Sequence, residues 1–177
     1  RAPAVKGGLA HSGADPGLFI RNLPGAVTTL PELEQAASGN GHFNMLAERD
    51  GILRRVPLLL RQGEQIYPSL ALEALRVAGG ASTLLVKAVP TGIIQVKVGG
   101  IVIPTDGEGR MWLYDTGHVP QRFIPAWELF EEGFDPSRVA GKIAFIGTSA
   151  AGLKDLRATP LDPLAAGVEV YAGLGPL

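Results

Sequence analysis

The chain has 177 residues, a length suited to one domain with its own core, and 46% of its residues are hydrophobic, which argues against disorder. Its 16 Lys and Arg residues nearly balance its 17 Asp and Glu residues, so the net charge of -1 gives no overall field that would favour nucleic acid or an anionic membrane surface. It contains no cysteine, which excludes disulfide bonds, thiolate catalysis and cysteine-ligated zinc sites.

The first forty residues contain one predicted helix. Residues 1–16 are small, polar and rich in glycine, and no periodicity decides between a strand and a loop there. Thr29 stands before Pro31 and two glutamates, and an N-cap threonine, an early proline and acidic residues in the first turn predict a helix over residues 31–38. No apolar run approaches the ~20 residues that cross a bilayer, so we expect a soluble protein or the soluble part of a membrane protein.

Two apolar runs, residues 42–46 and 53–60, flank the dipeptide Asp50-Gly51. Asp-Gly favours left-handed turn conformations, so these runs predict a β-hairpin. Pro57 cannot donate a ladder hydrogen bond, which predicts an edge or a bulge at that position. Neighbouring residues of a strand point to opposite faces, so at least one of Arg54 and Arg55 is expected to face inward or to be ion-paired.

The middle of the chain predicts a helix and a meander. Pro68 opens a run of helix formers that ends before Gly79, predicting a helix over residues 68–76. Gly99-Gly100 joins two alternating runs, which is typical of a hairpin, and residues 111–114 are expected to add a third antiparallel strand. A short helix with an acidic outer face is predicted over residues 125–133.

Residues 142–146 are the predicted centre of the fold. This apolar run, KIAFI, ends at Gly147-Thr148-Ser149, a pattern typical of a strand buried on both faces. The sequence therefore predicts one α+β (mixed α/β) domain over residues 1–177. It would consist of antiparallel hairpins and a meander with short helices and one buried C-terminal strand.

Ser149 is the strongest candidate for a catalytic residue. Residues 147–151 approximate the G-x-S-x-G nucleophile elbow, with Ala in place of the last Gly. The histidine of that fold follows its serine, whereas His11, His42 and His118 all precede Ser149. A turn serine that bonds local backbone is therefore favoured over a serine hydrolase. The wide separation of the histidines predicts no metal site, and we expect no cofactor.

The same segment could present backbone N–H groups to an anion or a small ligand. Structural ion pairing is the alternative role for the charged residues around it, and Asp106 and Asp115 are expected to shape turns. The candidate ligand or structural residues are Arg54, Arg55, Gly147, Thr148, Ser149, Asp155, Thr159 and Glu169.

Four stretches, in this order, resemble the CHASE2 family of sensory domains. They are DGILRRVP at residues 50–57, PSLALEALR at residues 68–76, IPTD at residues 103–106 with Gly109, and KIAFIG at residues 142–147 with Gly152-Leu153, Asp155, Thr159-Pro160 and Gly167-Val168-Glu169-Val170. The resemblance covers about residues 41–172. Little of residues 1–39 matches, so the N-terminal part of the family pattern is expected to be missing.

The resemblance implies the periplasmic or extracellular sensory domain of a bacterial membrane receptor, with no catalysis of its own. Such receptors carry transmembrane helices and a cytoplasmic adenylate or guanylate cyclase, histidine kinase, serine/threonine kinase or diguanylate cyclase. The expected partner is a small-molecule or protein signal and not nucleic acid, and a missing N-terminal part would expose an edge that favours a homodimer. A structural or dimerisation module is the alternative, and a serine hydrolase is the third.

Overall fold

A four-stranded mixed sheet forms the largest part of the fold in this computed structural model, which describes residues 2–148 and 155–173. Its strands lie in the order β1-β5-β6-β7. They are β1 (Gly8–Gly13), β5 (Thr83–Val89), β6 (Gly92–Val98) and β7 (Ile101–Pro104). β1 is parallel to β5, and the other pairs are antiparallel.

One face of this sheet carries the main hydrophobic core. Alternate side chains of β5 and β6, such as Leu84, Val86 and Val96, are buried against Leu59 and Leu72. The opposite face carries residues such as Leu85 and Val102, which remain exposed. The period-two alternation therefore buries one side of the sheet and leaves the other open.

Three two-stranded sheets and three short α-helices complete the described structure. The small sheets pair β2 (Arg55–Pro57) with β8 (Arg110–Trp112), β3 (Leu59–Gln62) with β4 (Gln65–Pro68), and β9 (Leu156–Arg157) with β10 (Ala165–Ala166). The helices are α1 (Pro31–Ala36), α2 (Leu70–Ala78) and α3 (Gly167–Ala172). The predicted α+β class is confirmed. Within the described residues, none of the helices has the length and apolar character needed to cross a bilayer.

Two of the three predicted helices, those at residues 31–38 and 68–76, form with small shifts at their ends. Ser69 caps α2, since its Oγ accepts a hydrogen bond from the backbone N of Leu72 at 3.3 Å, and Gly79 follows the last residue of the helix. The N-cap of α1 is Leu30, without a side-chain hydrogen bond. Thr29 is therefore not the cap, because Pro31 occupies the first helical turn directly after Leu30.

The predicted hairpin between residues 42–46 and 53–60 is wrong, although its turn is present. Residues 48–52 form a turn in which Glu48 N donates to Ile52 O at 3.0 Å. His42 makes only an isolated bridge to Ser69, and the second run divides at Leu58 into β2 and β3. Since β8 is the only described strand that pairs with β2, Pro57 lies at an edge, as predicted.

The third strand of the predicted meander is also wrong, whereas its first hairpin, β6 to β7, is confirmed. β8 pairs with β2 and not with β7. The turn at residues 105–110 redirects the chain, because Asp106 Oδ1 accepts hydrogen bonds from the backbone N of Glu108 and of Arg110 at 3.0 and 2.9 Å. The predicted role of Asp106 in shaping a turn is confirmed.

The predicted buried strand at residues 142–146 is wrong. These residues form no strand, and Ile143 and Ile146 are 45% and 97% exposed. They follow three 3-10 turns, Pro120–Arg122, Ala126–Phe130 and Pro136–Arg138, the second of which occupies part of the predicted helix at 125–133. An apolar run becomes a strand only where a neighbouring strand completes its ladder. Here the buried C-terminal strand is the short β10.

Candidate functional site

Glu48 bridges the two adjacent arginines of the sequence. Arg54 Nη1 lies 3.1 Å from Glu48 Oε2, and Arg55 Nη2 lies 2.7 Å from Glu48 Oε1. Arg54 Nη2 also contacts Asp50 Oδ2 at 2.8 Å. The prediction that at least one of the two arginines is ion-paired is confirmed, because both are.

Asp106 extends this group toward β8. Its Oδ2 accepts hydrogen bonds from Arg55 Nη1 at 3.1 Å and from Arg110 Nε at 2.8 Å. The guanidinium of Arg55 lies 5.1 Å from the centre of the Trp112 ring, within the range of a cation–π contact. We call Glu48, Asp50, Arg54, Arg55, Asp106 and Arg110 the arginine cluster.

Every arginine of the arginine cluster has a carboxylate partner within 3.1 Å. The hydrogen bond from Arg55 to Glu48 is the main reason that the pKa of Glu48 lies below its usual value, and Arg54 has the same effect on the pKa of Asp50. Glu48 and Asp50 therefore remain ionised, and a free anion would have to displace one carboxylate of the cluster. A cavity of about 70 Å³ opens beside the cluster, with Glu48 and Arg110 in its lining.

The second polar group lies in residues 155–173, which we call the closing segment. Arg157 Nη2 contacts Asp155 Oδ1 at 3.1 Å, and the backbone O of Asp155 accepts a hydrogen bond from Gly167 N at 2.8 Å. A Cβ atom at Gly167 would lie 2.5 Å from Asp155 Oδ2. Asp155 therefore packs on the start of α3 and leaves no room for a side chain at Gly167.

Thr159 and Asp115 shape the loop between β9 and β10. Thr159 Oγ1 accepts a hydrogen bond from Asp162 N at 3.0 Å, and Thr159 N donates to Asp162 O at 2.7 Å. Asp115 Oδ2 accepts a hydrogen bond from Leu161 N at 3.1 Å, and its Oδ1 accepts one from Gly117 N at 2.9 Å. The predicted role of Asp115 in shaping a turn is confirmed, and it also anchors the closing segment.

Glu169 joins α3 to the preceding loop. Its Oε1 lies 3.0 Å from His118 Nδ1, and the His118 ring lies 4.7 Å from the ring of Phe123. Both histidine and glutamate remain partly exposed. This contact connects the described end of the chain to residues about fifty positions earlier.

The segment that carries Arg54 and Arg55 packs against the closing segment. Leu53 N donates to Ala158 O at 2.7 Å, and Leu53 lies in one apolar cluster with Val56, Val170 and Tyr171. Since Leu53 directly precedes Arg54, this hydrogen bond and close packing connect the arginines to β9 and α3.

The structure places the predicted site residues in these two groups. Arg54 and Arg55 have Glu48, Asp50 and Asp106 as ion-pair partners, whereas the ion-pair partner of Asp155 is Arg157. A Cβ atom at Gly147 would lie 2.6 Å from the Cβ of Val168, so Gly147 approaches α3 closely. Thr148 is exposed, and Ser149 lies outside the described residues.

Glu48 and His118 are partners in these groups that the sequence interpretation did not identify. Glu48 lies six residues before Arg54, and the turn at residues 48–52 brings their side chains into contact. The sequence position of Glu48 therefore did not indicate this ion pair. His118 and Glu169 are far apart in the chain. In the part of the chain that the structure describes, no group of His, Asp and Glu residues could hold a metal ion.

His42 should make the domain less stable at acidic pH. Its ring nitrogens are buried with no hydrogen-bond partner among the described residues, and burial lowers its pKa from 6.5 to about 4. The unfolded chain therefore takes up a proton between pH 6.5 and 4 that the folded chain excludes, so stability is retained above pH 6.5 and lost below it. We expect a loss of about 2 kcal/mol between pH 7 and pH 5.

Urea denaturation at several pH values would measure this loss. The substitution His42→Leu should flatten the profile between pH 5 and 7, because it removes the buried group whose pKa is lowered. An unaltered pH dependence in His42→Leu would contradict the assignment.

The comparisons with known proteins give one match. The model of the CHASE2 domain family matches residues 6–174. This range includes residues 6–40, which the four sequence motifs leave out. No curated protein and no solved structure matches the chain.

Proposed function

The chain belongs to the CHASE2 domain family of extracytoplasmic sensory domains, and we propose that it is the signal-sensing part of a bacterial transmembrane receptor. Its signal is a small molecule or a protein that binds outside the cytoplasm. The cytoplasmic output is a cyclase of the adenylate, guanylate or diguanylate class, or a histidine or serine/threonine kinase. The domain itself carries out no catalysis.

The packing of Leu53 against the closing segment is the observation that supports a relay. A signal that rearranges the arginine cluster moves Leu53, and through the bond to Ala158 it moves β9 and α3. A ligand shifts such an equilibrium only when it binds the two arrangements with different affinities. The partly exposed arginines provide this difference in affinity, because a ligand carboxylate or phosphate can replace Glu48 or Asp106 as their partner.

The size of the cavity restricts the class of signal. Sites for drug-sized molecules usually measure ~300–1,000 Å³, whereas the cavity beside the arginine cluster measures about 70 Å³. A small anion or the acidic side chain of a protein partner therefore fits this surface better than a large apolar ligand.

The full-length receptor provides the test of this relay. We expect Arg54→Ala and Asp155→Ala each to change the basal cyclase or kinase output about 5-fold or more, which corresponds to ~1 kcal/mol of coupling. Because the side chains of Arg54 and Asp155 are 33% and 40% exposed, the unfolding free energy of each variant should fall by no more than about 1 kcal/mol. Output from purified membranes and urea denaturation of the isolated domain would be measured together.

Arg138→Ala is the matched control, since it removes another exposed arginine whose partner is Glu128 at 2.8 Å. It should change neither the output nor the stability appreciably. Unchanged output in Arg54→Ala and Asp155→Ala would reject the relay, and a loss of stability without a change in output would favour a structural or dimerisation module. Ester hydrolysis that Ser149→Ala abolishes would favour the serine hydrolase.

A further inference from the structure

Within residues 2–148 and 155–173, no strand pairs with the outer edge of β1 in the four-stranded sheet. Gly8 N donates to Ser82 O at 2.9 Å and Ala14 N donates to Ala88 O at 3.1 Å. Along such a strand, successive residues direct their backbone N–H and C=O groups alternately toward and away from the neighbouring strand. The even-numbered residues of β1 direct their backbone groups toward β5. Leu9 and His11 therefore direct their N–H and C=O groups away from the sheet, where the strand order places no further strand.

This edge lacks the features by which sheet edges usually avoid pairing. Residues 8–12 contain no Lys, Arg, Asp, Glu or Pro, and the register with β5 is continuous, without a bulge. The other edge strand, β7, has only four residues and ends in Pro104. The strand β1 ends at Gly13, whose φ of 84° departs from the extended conformation.

We propose that two copies of this domain pair through β1, antiparallel and about a twofold axis at Ala10. Leu9 of each copy then faces His11 of the other, and the two pairs form four backbone hydrogen bonds. Ala10 faces its own counterpart, and Gly8 faces Ser12 of the second copy. The two sheets become one continuous eight-stranded sheet.

A second copy suits this edge because the strand is self-complementary about Ala10. No Asp, Glu, Lys or Arg side chain meets its like across the axis, and Ala10 on the axis is small. Ala10 is exposed and lies in register with Leu85, Lys97 and Val102 on the open face of the sheet. Pairing therefore continues that face across both copies.

Charge substitutions at Ala10 test both the pairing and its axis. The wild-type chain should show a concentration-dependent dimer by sedimentation velocity at pH 7.5, and Ala10→Lys and Ala10→Glu should each weaken it at least about tenfold, because like charges face each other at the axis. An equimolar mixture of the two variants should restore the dimer. Val102→Lys, at an exposed position on β7, should dimerise like the wild type.

Cross-linking tests the register independently of affinity. The chain has no cysteine, so Ala10→Cys introduces a single thiol. Directly opposed residues at a non-hydrogen-bonded site have Cα atoms ~4.5 Å apart, within the range of a disulfide. Mild oxidation should cross-link Ala10→Cys into a covalent dimer, and Val102→Cys should remain monomeric under denaturing conditions.

Three results would overturn the proposal. One is a wild-type chain that stays monomeric up to about 1 mM, a concentration at which weak interfaces are populated. The second is dimerisation of Ala10→Lys as strong as that of the wild type, and the third is loss of the dimer in Val102→Lys. All these measurements use the 177-residue chain alone, so their outcome is independent of the receptor assays above.

Discussion

The substitution Arg76→Ala should lower the free energy of unfolding by about 3–5 kcal/mol, the cost of removing one partner from a buried ion pair. Arg76 and Glu73 lie on α2 with side chains only 8% and 4% exposed. Arg76 Nη2 and Nε donate to the two carboxylate oxygens of Glu73 at 2.7 and 2.8 Å. Truncation of Arg76 leaves the Glu73 carboxylate buried without its counter-charge.

Arg76 also holds two neighbouring segments in place, which adds to the expected loss of stability. Arg76 Nη1 donates to Ala81 O at 2.8 Å, and Nη2 donates to Ser38 O at 3.3 Å. Arg76→Lys keeps the charge but loses the bidentate contact, so it should lower the free energy of unfolding by less than Arg76→Ala does. The double variant Glu73→Leu/Arg76→Met should be more stable than Arg76→Ala, because no charge remains buried alone.

Urea denaturation of these variants with the wild type as reference would check this prediction. A loss below about 1 kcal/mol for Arg76→Ala, in the range of exposed ion pairs, would contradict it. The Arg54 and Asp155 variants should lose less stability than Arg76→Ala, since their ion pairs are partly exposed. We therefore expect the buried pair to contribute more to folding stability than the partly exposed pairs do.

The substitution Leu53→Ala should cost about 2–5 kcal/mol, as is typical for a buried leucine. Leu53 is 1% exposed and packs with Val56, Val170 and Tyr171. Its removal leaves a cavity between β2 and α3. In the full-length receptor, the same substitution should reduce the effect of Arg54→Ala on the output, because the packing that connects the two groups is lost.

Ile146→Ala is the matched control for Leu53→Ala. Ile146 is 97% exposed, so its truncation should change stability by no more than about 0.5 kcal/mol. Thermal or chemical unfolding would compare the two variants directly. Equal losses would show that residues 142–146 lie in the core, which is the arrangement that the hydrophobic pattern predicts and the structure does not have.

The sequence by itself determined the features that depend on neighbouring residues. The helix after Ser69, the hairpin at Gly99-Gly100 and the turns at Asp50-Gly51 and Asp106 follow from capping, from turn chemistry and from alternation over a few residues. These interactions form within one segment, so their signals are present in the local sequence. The family motifs lie largely at such positions.

Only the tertiary structure decided which segments meet. The parallel pairing of β1 with β5, the pairing of β2 with β8, and the ion pair of Arg55 with Asp106 depend on contacts between residues that are far apart in the chain. Residues 142–146 have the pattern of a buried strand but remain outside the sheets. The physical reason is that a hydrophobic run specifies burial in general, whereas a strand also requires a particular partner for its backbone hydrogen bonds.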